Sequence, residues 1–118
     1  GRKHMRKLTT HLAIFTLLSA GASFAGTCET AAAEEKLIQA SEAEVILSVG
    51  VFNNIPTIAV EPEVWALLDV NTRLGMIETF ECVMAGPGNI LAKVQVISGT
   101  GKVMATYDGI QRELAVIE

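Results

Sequence analysis

The stretch Ile58-Ala59-Val60-Glu61-Pro62-Glu63-Val64-Trp65-Ala66-Leu67-Leu68 organises the chain: an apolar run breaks at a proline and resumes around the only tryptophan. It reads as a strand that delivers Trp65 to the start of a helix, and helical periodicity continues to Ala85. A large indole directly before a helix plugs the gap between helix and sheet, although the same ring could stack a ligand. Asp69 can accept hydrogen bonds from the free amides at the helix start, and Gly86-Pro87-Gly88 stops the helix. Within it Val70, Leu74, Ile77, Phe80 and Met84 share one face, widened by Met76 and Val83. Cys82 falls off that stripe, near Asn71, Gly75 and Glu78. Gly75 and Cys82 make a shallow face for another element, and the first helix is the candidate because Cys28 lies at its beginning.

Working outward, Glu29 to Ala40 is rich in Ala, Glu, Lys and Leu and predicts a first helix. Val45–Phe52 and Ile55–Val60 are β-branched and apolar, and the Asn53-Asn54 pair between them suggests a hairpin, since asparagine tolerates positive φ. Pro56 cannot donate to a ladder, which places it at an edge or at the start of the second strand. A single long helix over Glu29–Ser48 is the alternative, because Leu37, Ser41 and Val45 fall four apart. After the central helix, Ile90, Ala92, Val94 and Val96 alternate with Leu91, Lys93, Gln95 and Ile97, a strand with one drier face. Ser98-Gly99-Thr100-Gly101 turns it into a partner over Lys102–Tyr107. Asp108-Gly109 is a second tight turn, and residues 110–117 form either a last strand or a frayed tail. The expected fold is α+β in the order αββαββ, as a helix, a hairpin, the central amphipathic helix and an antiparallel hairpin or meander. Its core is centred on Trp65, Leu74, Ile77, Phe80, Val94 and Val96.

The amino end reads differently. Gly1-Arg2-Lys3-His4 ahead of Met5 is expected to be an expression-tag remnant. Arg6 and Lys7, the apolar Leu8–Ala22 and the small-x-small Ser23-Phe24-Ala25 then make the three parts of an export signal over residues 5–25. The apolar part is shorter than the roughly 20 residues a membrane span needs. Cys28 lies two residues too late to carry a lipid anchor. The expected product is a single domain, residues 26–118, in the periplasm or secreted, with no stable membrane anchor after cleavage. While the signal is retained, Leu12, Ile14, Phe15, Leu17 and Leu18 are expected to pack against neighbouring chains and give a homo-oligomer.

Removal of the signal changes the charge. Five Lys and Arg remain against all thirteen Asp and Glu, a balance of −8 in place of −4. Such a chain repels phosphate backbones, so nucleic acid is not an expected partner. Both histidines, His4 and His11, lie at or before the signal. The remaining chain has no imidazole for a Ser-His-Asp or Cys-His nucleophile and too few ligands for a Cys/His zinc site. In an oxidising compartment Cys28 and Cys82 are expected to pair, the alternative being two buried thiols.

Other chemistry has bland readings beside it. Gly99-Thr100-Gly101-Lys102 lacks the upstream glycine and the following Ser or Thr of a phosphate loop, and reads as a hairpin turn. Glu61 with Glu63, and Glu78 with Glu81, are the carboxylate pairs, with solvated charge as the default. Met76, Met84, Met104 and Cys82 could together hold a soft metal, against a core reading for methionine.

A strand ending in Val60-Glu61-Pro62, Trp65 three residues past the proline, Leu68, a helix carrying Cys82, and a hairpin turning at Thr100-Gly101-Lys102 ahead of Ala105 resemble a pattern in small exported bacterial proteins of unknown function. The resemblance spans Val45–Tyr107. It implies the α+β fold and export, and no activity.

The expected function is therefore a non-catalytic exported protein, without cofactor or metal, acting through an unidentified protein partner or by assembly. The alternatives are a small acidic inhibitor of a cationic hydrolase and a small ligand or soft-metal carrier. Expression from Met5 should yield a periplasmic product whose intact mass corresponds to a chain starting at Gly26. A product retaining Met5 refutes the signal reading.

Overall fold

A computed structural model describes residues 28–117; the expected tag remnant and export signal lie outside the described residues. Helix α1, Thr30–Glu42, buries Ala33, Leu37 and Ala40, which share one side at the i, i+4, i+7 spacing. Its end explains why residues 29–48 are not one helix. Glu44 takes a left-handed backbone (φ 64°), its N–H reaches the Ser41 carbonyl, and the Val45 N–H bonds the Ala40 carbonyl at 3.0 Å. That pair of bonds is a Schellman stop. Beyond it the β-branched residues enter strand β1, Ile46–Phe52.

Asn53 (φ 54°) and Asn54 (φ 63°) make the two-residue turn into β2, Ile55–Val60. Positive φ at both central positions is the type I′ geometry whose twist suits a hairpin. Between β2 and the helix expected from Asp69 the structure adds a short helix. Pro62 sits at the start of a short α2, Pro62–Leu67, where its missing N–H costs nothing. Leu68 then returns to extended backbone (φ −81°, ψ 138°). Asp69 restarts the chain as α3, Val70–Ala85, with its carboxylate accepting the Thr72 N–H at 2.7 Å.

The buried band of α3 also differs from the expected stripe. Val70 and Met84 are 56% and 40% exposed, and Leu74 is half-buried at the margin of the core. Met76, Ile77 and Phe80 are buried as expected, and Thr72, Gly75, Thr79 and Glu81 are buried with them. The reason is that α3 is covered on two sides. Met76, Ile77 and Phe80 join the core on the sheet, while Thr72, Gly75 and Thr79 share the side of Cys82 that α1 covers.

Strands β3 (Lys93–Ser98), β4 (Val103–Asp108) and β5 (Glu113–Val116) complete one five-stranded sheet in the order β1-β2-β3-β4-β5. β3 begins at Lys93 rather than Ile90, and Ile90 is exposed. The β2–β3 pairing is parallel and the other three are antiparallel. The helices pack on the face that carries Ile46, Ile58, Val60, Val94, Val96, Ala105 and Tyr107, and these join Leu37, Trp65, Leu68, Met76, Ile77 and Phe80 in one core. Trp65 thus occupies the expected position between helix and sheet. β3 is central, so Val94 to Ser98 are all buried. On the opposite face its Gln95 amide donates to Thr57 Oγ1 at 3.0 Å and to the Phe52 carbonyl at 3.4 Å.

Cys28 and Cys82 form a disulfide with Cα atoms 5.5 Å apart, tying the start of α1 to α3. The two cysteines are 54 positions apart. Closing a loop of that length restricts the unfolded chain by about 4 kcal/mol in the chain-entropy account. Replacing both cysteines by serine should lower the unfolding free energy from denaturant titration by an amount approaching that figure, and an unchanged midpoint contradicts the account.

Candidate functional site

Glu78, Glu81, Tyr107 and Arg112 converge where α3 meets the loop before β3 and the β4–β5 turn. Glu81 is buried on α3, and its Oε2 accepts the Leu91 N–H at 2.9 Å. Arg112, in the turn before β5, donates through Nη1 to both Glu81 oxygens at 2.9 and 3.0 Å and to the Gly109 carbonyl at 3.3 Å. Its Nη2 reaches Glu78 Oε2 at 3.4 Å. The guanidinium also lies over the Tyr107 ring, 5.5 Å from the centroid. The loop closes tightly: a Cβ on Gly109 would run into the Leu91 carbonyl, so glycine is required there.

The electrostatics follow from burial. Burial pushes the Glu78 carboxyl up, against the lowering effect of Arg112, and the neighbouring Glu81 charge adds to the rise. Tyr107 is raised, first by burial and then by the carboxylates, with Arg112 opposing. Burial pulls Arg112 down, but its hydrogen bond to Glu81 and the surrounding negative charges leave it raised overall. Glu81 has its oxygens engaged by a guanidinium and a backbone amide. The cluster therefore acts as a clasp, holding the 86–92 loop and the β4–β5 turn on α3.

The other residues singled out from sequence are dispersed. Glu61 precedes α2 as its N-cap residue and Glu63 lies exposed in its first turn. Glu78 and Glu81 do come together, but on Arg112. Ser98-Gly99-Thr100-Gly101 is a hairpin turn, with the Ser98 N–H bonding the Lys102 carbonyl at 2.8 Å and the Ser98 and Thr100 hydroxyls 2.9 Å apart. Among the methionines, Met76 is fully buried in the core and Met84 is exposed, while the sulfur of Cys82 is spent in the disulfide. Among the described residues no three His, Cys, Asp or Glu side chains gather as metal ligands. Trp65 is buried, with the Arg73 guanidinium 4.7 Å from its ring centroid and donating to its carbonyl at 2.9 Å.

A second feature is the outer edge of the sheet. Among the described residues β1 pairs only with β2, and after Ile46 it leaves the cover of the helices: Leu47 and Val49 are 45% exposed, Phe52 47% and Val51 62%. From Val45 to Val60 no residue is charged. A two-residue turn requires its closing pair, Phe52–Ile55, to be hydrogen-bonded. Alternation along the register then bonds Gly50 to Thr57 and leaves Val51–Pro56 and Val49–Ile58 as the pairs without ladder bonds, which suits the missing N–H of Pro56. The N–H and C=O of Val49 and Val51 consequently point outward from the sheet.

Compared with known proteins, the chain matches no family model, no curated protein and no solved structure. The motif positions nevertheless have physical roles: Val60 ends β2, Pro62 opens α2, Trp65 and Leu68 enter the core, and Thr100-Gly101-Lys102 turns β3 into β4.

Sequence reasoning missed Arg112. Its partners are 31 and 34 residues away, and no spacing rule links a turn residue to a helix face. Replacing Arg112 by alanine should cost about 1–3 kcal/mol, because a buried carboxylate loses its charged donor. Glu78→Gln should behave oppositely. The folded Glu78 holds its proton to higher pH than the unfolded chain does, so its contribution favours folding at low pH and is lost as pH rises through the raised value. The glutamine variant should lack this decline and be at least as stable as the parent at pH 7. Denaturant midpoints from pH 4 to pH 8 check both; a Glu78→Gln variant that loses ground as pH rises contradicts the assignment.

Proposed function

We propose that this chain is a non-catalytic, exported interaction module that works through the β1–β2 hairpin rather than through a reactive cleft. The observation that carries the reading is the β1 edge, with its uncharged strand, exposed apolar side chains and outward backbone groups. Proteins ordinarily blunt such an edge with charge, proline or a cover, because it templates pairing with another chain. The converging carboxylates, in contrast, are occupied by Arg112 and a backbone amide. Export draws support from the Cys28–Cys82 disulfide, since such bonds persist in oxidising compartments, and from the three-part signal in the sequence.

A second reading, an acidic binder of a basic partner such as a cationic hydrolase, is favoured by Glu34, Glu35 and Glu42, all exposed on α1. Salt dependence separates the two, because charge-driven association weakens steeply with ionic strength while apolar strand pairing does not. Affinity capture from periplasmic extract should retain a stoichiometric protein that Val51→Lys releases and 0.5 M salt, a condition of roughly 4 Å screening length, does not. A partner released by salt but held by the variant supports the acidic reading, and a co-purifying metal or small molecule supports a carrier.

A further inference from the structure

The two edges of the sheet are treated differently. β5 is four residues long, begins at Glu113 and follows Arg112. It is a short, charged edge of the kind that resists pairing. β1 is seven residues long and carries no charge. A bulge shifts its register between Ile46 and Ser48, so the regular part of the strand is Ser48–Phe52, centred on Gly50.

We propose that the β1 edge pairs with the β1 edge of a second copy of this chain, antiparallel about a two-fold axis at Gly50. This rests on the interaction reading above and names its partner. Under that symmetry Val49 faces Val51 of the second copy, and Val51 faces its Val49. These are the residues whose N–H and C=O point outward, so each facing pair exchanges two hydrogen bonds. Gly50 faces its own counterpart at a close, unbonded position, and open space surrounds the site where its Cβ would stand. Such a contact is isologous and closes at two copies, leaving a ten-stranded sheet whose outer edges are the two charged β5 strands.

Electrostatics favour a like copy here over a charged partner. The chain beyond the signal carries −8, yet the whole hairpin is neutral, so two copies meet without facing carboxylates. A basic partner would find no acid on this edge to pair with. The exposed parts of Leu47, Val49, Val51 and Phe52 together with the strand backbone fall below the roughly 1,200–2,000 Å² that stable interfaces bury. The dimer is thus a dissociating one, formed at high protein concentration.

Gly50→Cys in the full chain tests the geometry, because both native cysteines are already paired. Mild oxidation should give a covalent dimer well above the yield of a Lys102→Cys control on an exposed turn. Adding Val51→Pro should abolish it: the Val51 N–H points away from β2, so proline removes the intermolecular donor and keeps the β1–β2 bonds. Val51→Lys is the second disrupting variant, and the unfolding midpoint of each shows that the fold survives. A Gly50→Cys yield no higher than the control overturns the proposal, as does a covalent dimer that persists in both Val51 variants. If the dimer fails while the parent still captures a different protein that Val51→Lys releases, the interaction reading stands with another partner. If neither occurs, both fail.

Discussion

The parallel pairing of β2 with β3 is the constraint on which the rest of the molecule depends. Two parallel strands cannot be joined by a tight turn; the chain must leave one end of the sheet and return to the other. Residues 61–92 make that crossover, and its two helices lie over one face of the sheet. The apolar residues at the centre of that face are buried at once. Ile58 and Val60 on β2, Val94 and Val96 on β3, and Tyr107 on β4 meet Trp65, Met76, Ile77 and Phe80 coming from above. The antiparallel hairpins on either side then extend the sheet with local contacts only.

A single helical layer over a five-stranded sheet would leave α3 half-uncovered, and α1 supplies the missing cover. It can approach closely because Gly75 presents no side chain and its neighbours Thr72 and Thr79 are short. The Thr79 hydroxyl turns back to the Gly75 carbonyl at 2.7 Å, so no polar group is stranded between the helices. The disulfide holds this contact at one end, and the Schellman stop at Glu44 turns the chain from α1 directly into β1. Stability and topology are therefore coupled: the helix with the weakest apolar content is the one fixed covalently.

The charged groups obey the same logic. Glu81 is buried on a helix that packs on two sides, a position where an unpaired carboxylate would be costly. It is tolerated because the chain returns twice to the same spot, first at Leu91 and again at Arg112, and both returns donate to it. The arrangement spends its charge on holding loops. What the fold leaves unspent is the outer backbone of β1 past Ile46.

By itself the sequence determined the local events. Asparagine pairs, prolines and glycines specify turns through φ alone, which is why the Asn53-Asn54 turn, the stop at Gly86 and the turn at Gly101 were all legible. The Asp69 cap and the core roles of Trp65, Ile77, Phe80, Val94 and Val96 were legible too, because periodicity reports which side of an element is dry. Leu74 was legible only in part, since a stripe read from one helix does not say how far the sheet extends beneath it; the same is true of Val70 and Met84. The separate short helix over Pro62–Leu67, the parallel register of β2 and β3, and the meeting of Arg112 with Glu81 were decided by tertiary structure. Each depends on which distant segments share a surface, and that choice is made by burying the whole apolar face together rather than by any residue's own preference.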